Sequence, residues 1–366
     1  MDHKTVLRIK STVALVYKES KLDIFFANTR EQFVIEIAYQ KIVELLFRFD
    51  GIESLGEIAK RYPDIEYEEL EQLVSYLKRK RVLIEIDADY DVTQVVESYR
   101  LICILEDFYH STSEVVDALK MLSSKSVMIV GLGAVGTWIT DSLARTGVNH
   151  FTLVDDDHVE ISNLHRQDLF FEEDVGKSKV DVIHEKLLTI NPKINVTKIK
   201  AKLDDNFFQK HNVSYDVIIN CADSPSVDIT TNIIAKESMK RNLPHIVGGG
   251  YNLHLTLIGQ TVIPHVTACV KCFETHLEKI NNADLEGVKK LVRPNRKIGS
   301  FAPLCALSAS LATLDIVKVL IGRYEFINNA NKRTEFVIEN RDLTQHEVPK
   351  DPNCFWCGSN GIYKLK

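Results

Sequence analysis

Residues 126–136 read Ser-Val-Met-Ile-Val-Gly-Leu-Gly-Ala-Val-Gly. The run Ser126 to Val130 leads directly into Gly131-x-Gly133-x-x-Gly136, which predicts a buried strand turning tightly into a helix. Gly131 permits the turn, Gly133 lets the backbone approach a phosphate, and Gly136 lets helix pack on strand. The helix that follows, Thr137 to Thr146, offers unpaired N–H groups to an anion. Asp155 closes the next strand, His150 to Val154, where a carboxylate suits a ribose hydroxyl. The turn by itself serves NAD and ATP equally well.

Outward from this turn, strands and helices alternate. Lys177 to Thr189 has a helical pattern, and Asp216 to Asn220 is strand-like. The alternation predicts an α/β fold over residues 125–366: a Rossmann-like, mainly parallel sheet with helices on both faces. Residues 281–300, rich in Lys and Arg, interrupt the rhythm and read as a long loop.

Residues 1–90 form a different module. Val6 to Lys10, Val13 to Tyr17 and Leu22 to Phe26 are short strand-like runs. Ile42, Leu45, Leu46 and Phe49 follow helical spacing, with Asp50-Gly51 expected to end that helix. Ser54-x-x-Glu57 is a capping box before a short helix, and Leu70, Leu73, Val74 and Leu77 mark another. Val82 to Ile86 closes as a strand. The set suggests a small winged-helix domain. Its basic run, Lys78 to Arg81, reads as a solvated helix end. Residues 91–124 are expected to link the two modules.

The 366 residues are 45% apolar and 26% charged, with a formal charge of −6. This balance gives no electrostatic case for nucleic acid or an anionic membrane. The opening MDHKTVLRIK lacks the apolar stretch of a signal peptide, and the best membrane candidate, Ala306 to Ile321, is broken by Asp315 and Lys318. The expectation is a cytoplasmic protein. Four of the seven cysteines fall in two Cys-x-x-Cys pairs, Cys269/Cys272 and Cys354/Cys357. Four thiolates fill a tetrahedral zinc site and leave no open position, so the metal would be a structural staple. Cys103 and Cys221 sit in apolar runs and read as core fillers.

Beyond the glycines come Asp155-x-Asp157, Asn163-Leu164-x-Arg166-Gln167, Gly176-Lys177-x-Lys179 and Ala222-Asp223-Ser224. In this order, and with the cysteine pairs behind them, these motifs resemble the ubiquitin-activating-enzyme-like (ThiF/MoeB/MccB) superfamily over residues 120–360. The resemblance implies an ATP-dependent, carboxylate-activating enzyme. Asp155 would hold the ribose with Asp157 nearby. Asn163, Arg166, Gln167 and Lys179 would surround the phosphates, and Asp223 would hold Mg2+. Arg100 looks like the arginine that the family contributes from a neighbouring subunit, which implies a homodimer. Carrier-activating relatives place a catalytic cysteine in the crossover loop. Residues 273–304 here contain none, and Cys305, opening an apolar helix, reads as core.

A winged-helix module ahead of this domain resembles the leader-recognition element of superfamily members that modify ribosomally made peptides, of the microcin C and pantocin A types. It implies a precursor peptide as partner, bound by strand addition. Two carboxylates are open: glutamate side chains, leading to dehydration and cyclisation, or the peptide's terminal carboxyl group. The basic loop residues Lys289, Lys290, Arg293, Arg296 and Lys297 tilt the expectation towards glutamate. Gly248-Gly249-Gly250 would line a peptide channel or form an ordinary strand-end turn. The alternatives are an adenylyltransferase for a ubiquitin-like sulfur carrier and a non-catalytic peptide-binding partner. A nicotinamide oxidoreductase explains neither Arg166 nor Lys179.

Overall fold

The computed structural model describes residues 2–252, 255–281, 299–327 and 329–363. The chain divides into two compact units, Met1–Lys120 and Met121–Lys366.

The first unit opens with β1 (Val6–Ile9), followed by the antiparallel meander β2 (Val13–Lys18), β3 (Lys21–Phe26) and β4 (Gln32–Glu36). Glu19 and Ser20 both have positive φ, 53° and 63°, so the β2–β3 hairpin closes through a two-residue turn. Leu22 and Ile24 on β3 are buried, while Val16 and Val34 are exposed. Next come α1 (Ile42–Leu46), β5 (Asp50–Ser54), α2 (Leu55–Arg61), α3 (Tyr67–Arg79) and β6 (Leu83–Glu85). β5 and β6 flank β1 in a second antiparallel sheet. The capping box at α2 is formed: Ser54 N–H donates to Glu57 Oε2 at 2.8 Å, and Glu57 N–H donates to Ser54 Oγ at 3.4 Å. Asp50-Gly51 does not end a helix. α1 stops at Leu46, and Gly51, at φ +90°, sits inside β5.

The expected linker is helical, with α4 (Val92–Glu106) and α5 (Thr112–Ser124). The first unit therefore extends well past residue 90. Lys10, on the loop after β1, is buried, and its ammonium donates to the Glu106 carbonyl at 2.5 Å and the Tyr109 carbonyl at 2.9 Å. A cation on the last carbonyls of a helix satisfies acceptors that the helix leaves unpaired. Arg8 pairs with Glu106, whose carboxylate also accepts from the Tyr90 hydroxyl at 2.9 Å. Burial lowers the Lys10 pKa to about 8.

The second unit is built on β7 (Ser126–Val130), α6 (Ala134–Arg145), β8 (His150–Val154), α7 (Lys179–Ile190), β9 (Asn195–Ile199), α8 (Phe207–Lys210), β10 (Val217–Asn220), α9 (Val227–Arg241) and β11 (His245–Val247). Its six-stranded sheet runs β14-β11-β10-β7-β8-β9, parallel except for β14 (Thr261–Val262). The chain moves one way from β7 through β8 to β9, then returns to the other side with β10. That reversal places a crevice at the carboxyl ends of β7 and β10, where doubly wound folds bind ligands. Met128, Val130 and Ile218 pack with Ile233 and Ile234 of α9. α6 packs against α7 and α11 (Ala302–Leu320).

A second sheet, unforeseen in the sequence, is antiparallel: β12 (Gly250–Asn252), β13 (Leu255–Ile258), β15 (Lys332–Val337) and β16 (Asp342–Glu347). α10 (Val270–Asn281) runs into the expected basic loop, and Lys289, Lys290, Arg293, Arg296 and Lys297 lie outside the described residues. Among the described residues, α11 is the one helix long and apolar enough to cross a membrane. It packs along α6 and β13, and its buried Asp315 accepts from Thr261 Oγ1 and Asn329 N–H, each at 3.2 Å.

Candidate functional site

The turn after β7 is held from two sides. Gly131 N–H donates to the Val154 carbonyl at 2.8 Å, and Cys221 N–H donates to the Val130 carbonyl at 2.7 Å. Gly131 has φ +93°, and a Cβ there would stand 2.6 Å from the Ala222 nitrogen. At Gly136 a Cβ would stand 2.0 Å from the Gly131 carbonyl oxygen. At Gly133, the residue just before α6, no described residue other than its chain neighbours comes within 4 Å of where a Cβ would lie. Two of the three glycines thus answer to packing within the chain, and the middle one faces open space.

Asp155 lies at the end of β8. One carboxylate oxygen accepts from Leu132 N–H at 2.6 Å and the other from Asp157 N–H at 2.8 Å. Burial raises its pKa above the usual carboxylate range, against the opposing pull of the Lys179 ammonium. Lys179, the first residue of α7, has a side chain only 6% exposed and pairs with Asp157 at 3.0 Å. Asp157 itself is largely exposed. The lysine expected among the phosphates is therefore anchored on Asp157, with Asp155 close enough to feel its charge.

Between β8 and α7 runs the segment with the other expected residues. Asn163 is buried; its side-chain oxygen accepts from Glu160 N–H at 3.1 Å, and its carbonyl receives the Arg166 and Gln167 N–H groups at 3.1 and 3.0 Å. Arg166 donates through Nη1 to the Ser162 carbonyl at 2.6 Å and lies 2.8 Å from His165 Nε2. Gln167 is buried, and its Oε1 has no partner among the described residues. Arg166 and Gln167 line a cavity of about 400 Å³ with Trp138, Asp168 and Phe171. Gly131, Asp155, Lys179 and Asp223 are not among its lining residues. Arg166 and Gln167 thus open onto a cavity that these four residues do not line. Burial, reinforced by Asp141, raises the pKa of Asp168.

Asp223 is exposed, beyond β10 and next to the Ala222 that crowds Gly131. An exposed carboxylate at the crevice suits a hard cation such as Mg2+. Sequence reasoning missed how its loop is shaped. Buried Asn220 donates to the Thr230 and Thr231 hydroxyls at 3.0 and 2.9 Å and accepts from Ala222 N–H at 3.1 Å. The available signal was a polar residue closing the apolar strand Val217-Ile218-Ile219. Arg100 is exposed on α4, in the first unit.

The four paired cysteines come together. Cys269 Sγ lies 4.0 Å from Cys272 and 3.6 Å from Cys354, and Cys272 lies 3.5 Å from Cys357. All four sulfurs fall within 4.8 Å of one another and are buried. Tetrahedral zinc at a Zn–S distance of ~2.3 Å sets its sulfurs ~3.8 Å apart, so the donor set fits that ion. Asp351 N–H points at Cys272 Sγ and Trp356 N–H at Cys354 Sγ, at 3.5 and 3.4 Å, as thiolate acceptors require. Met239, Val262, Phe273 and Trp356 enclose the cluster.

The remaining expectations divide. Cys305 is fully buried on α11, 3.4 Å from Ser300 Oγ. Cys103 and Cys221 are both partly exposed by solvent area, although the polypeptide around Cys221 pushes its thiol up to about 12. Gly248 and Gly249 are packing positions: Cβ atoms there would stand 2.5 Å from Cys221 Sγ and 2.4 Å from the Leu257 carbonyl oxygen. Among the described residues, chain neighbours aside, none comes within 4 Å of where a Cβ on Gly250 would lie.

A switch-point glycine turn flanked by anchored cations, with a four-sulfur site in the same unit, defines an adenylating α/β domain. The chain belongs to the ThiF family, whose model matches residues 110–356. It is accordingly an ATP-dependent, carboxylate-activating enzyme. Molybdopterin-synthase adenylyltransferase of Escherichia coli is 26% identical over 242 residues, which cover 66% of this chain and 90% of the relative. In fold, the chain is similar to E. coli MccB, with a TM-score of 0.79 at 22% identity over 98% of this chain and 99% of MccB. MccB has also been solved with ATP and with MccA. PaaA superposes with a TM-score of 0.70 at 21% identity, over 93% of this chain and all (100%) of PaaA.

Proposed function

We propose that this enzyme uses ATP and Mg2+ to activate a carboxylate of a ribosomally made precursor peptide, with a glutamate side chain as the group activated. The observation that carries the peptide reading is the extent of the likeness. The family match begins at residue 110, and the molybdopterin-type relative covers 66% of the chain. The MccB and PaaA folds extend over 98% and 93% of it, first unit included. In this reading the module at residues 1–90, together with the helices after it, is the peptide clamp.

The chemistry assigns each group a task. Attack of a carboxylate oxygen on the α-phosphorus of ATP forms an acyl–phosphate bond, expels pyrophosphate and builds negative charge at phosphorus. Cations fixed beforehand stabilise that charge without reorganising. Gly131, Gly133 and Gly136 bring backbone to the phosphates. Asp155 takes the ribose hydroxyls, with Asp157 steering Lys179. Arg166, Gln167 and Asn163 supply the phosphate-facing loop, and Arg100 acts from the second copy of a cytoplasmic homodimer. Asp223 would hold magnesium, which neutralises phosphate oxygens when bound. The paired cysteines would hold zinc, which ties the chain's end to α10.

One observation favours a second reading, activation of the terminal carboxyl group: the TM-score is higher for MccB, 0.79, than for PaaA, 0.70. ATP–pyrophosphate exchange tests both with a synthetic peptide encoded beside the gene. Glutamate activation requires that Glu→Gln peptides fail and C-terminally amidated peptides work; the opposite pattern selects the terminal carboxyl group. Exchange driven by a Gly-Gly-ended carrier protein instead of the peptide would overturn the peptide reading. Tight peptide binding without exchange would make the chain a non-catalytic partner.

A further inference from the structure

Two consecutive side chains on α6, neither given a task so far, reach across to the loop that carries Arg166 and Gln167. The Trp138 indole N–H donates to the Arg166 carbonyl at 3.2 Å. The Thr137 hydroxyl accepts from Asp168 N–H at 3.0 Å and donates to the Gly133 carbonyl at 3.0 Å. Backbone is thus tied down on both sides of Gln167, and through Thr137 the tie reaches the middle glycine itself.

Arg166's own side-chain bonds go to Ser162 and His165, within its own turn. They fix its rotamer but not its distance from the glycines. Among the described residues, the hydrogen bonds that cross from this loop to α6 are those of Thr137 and Trp138. α6 is a suitable ruler, because Ile139 and Leu143 are fully buried and its first turn is the glycine turn. Trp138 also forms part of the wall of the cavity that Arg166 and Gln167 line.

We propose that Thr137 and Trp138 are positioning residues, a two-point clasp that sets Arg166 and Gln167 at a fixed distance from Gly133 so that both close on one triphosphate. The inference rests on the nucleotide reading above. The clasp acts on phosphates and not on the nucleoside, because Arg166 is the group it holds.

Calorimetric titration of the full chain with ATP and with adenosine tests it. Trp138→Phe, which keeps the ring and loses the N–H, should weaken ATP about threefold to tenfold, the range of one hydrogen bond, and leave adenosine unchanged. Thr137→Val, isosteric and independent of ring packing, should act in the same direction and serves where Phe fills the indole's space badly. In an Arg166→Ala background, Trp138→Phe should cost less than it does in the wild type, since part of its effect acts through Arg166 and neighbours acting through one group are not additive. Equal losses for ATP and adenosine, or a full further loss on top of Arg166→Ala, overturn the clasp while leaving the nucleotide site standing. A wild-type chain that binds neither compound overturns the nucleotide reading itself. ATP binding that ignores Arg166→Ala removes Arg166 from the site, and the clasp with it.

Discussion

The sulfur cluster and the glycine turn occupy the same unit but differ in how complete they are. The four thiols stand within 4.8 Å of one another, buried and aimed inward. Around the turn and the loop tied to it, Asp223 is exposed, Gln167 Oε1 has no partner among the described residues, and Lys179 is engaged by Asp157. The contrast follows from residence time. A structural ion never leaves, so the chain can close apolar groups around it and lose nothing. A site that must admit a nucleotide and release a product keeps some polar groups unmatched until the ligand arrives.

The largest effect should come from breaking the complete site. Cys354→Ala should reduce zinc content, read by elemental analysis, from about one ion per chain to near zero. The melting temperature should fall by roughly 10 °C or more, because metal binding is folding free energy. Unchanged metal content would remove the staple. At the open site, Asp223→Ala should reduce peptide-stimulated pyrophosphate exchange about 100- to 1,000-fold, the scale of one lost charge-stabilising group. Its melting temperature should hold, since the side chain is exposed. Exchange at the wild-type rate would refute the magnesium role.

The glycines sharpen the contrast inside a single motif. Gly131→Ala forces a Cβ to 2.6 Å from backbone at φ +93°, and should destabilise the chain by about 2–3 kcal/mol in denaturant titrations. Gly133→Ala meets nothing within 4 Å and should change stability by less than ~0.5 kcal/mol. It should nonetheless weaken ATP about tenfold, because the new methyl group occupies phosphate space. If both variants lose stability equally, Gly133 belongs to packing and the motif has no open face.

What could be read in the sequence follows the range of the interactions involved. The parallel strands announced themselves because burial on both faces makes them uniformly apolar, as in Val217-Ile218-Ile219. The capping box and the cysteine pairs are local patterns whose geometry is fixed within four residues. β15 and β16 gave no such signal: Lys332–Val337 and Asp342–Glu347 are mostly polar, and their hairpin joins the sheet only through the long-range pairing of β15 with β13. The segment after residue 91 looked like a connector because nothing local discloses that Lys10 secures the end of α4. Thr137 and Trp138 were hidden for a similar reason. A tryptophan on an amphipathic helix reads as core until its indole N–H is seen at Arg166.

The smallest effect is also the one with an unusual sign. Asp155 has a folded-state pKa raised by burial, so its ionised form opposes folding. The favourable contribution is fully present below the ordinary aspartate value of about 3.9 and is lost as pH rises through the raised folded value. Asp155→Asn removes that charge, keeps an acceptor for Leu132 N–H and gives up the bond from Asp157 N–H. The variant should therefore melt about 1–3 °C higher than wild type at pH 7, and the gap should close on acidification through the aspartate range. Its affinity for ATP should fall at the same time, because a ribose hydroxyl loses its anionic acceptor. A variant that melts lower by the same amount at every pH would mean that the two N–H bonds to the carboxylate outweigh its burial, and would place Asp155 with the complete sites of this molecule instead of the open one.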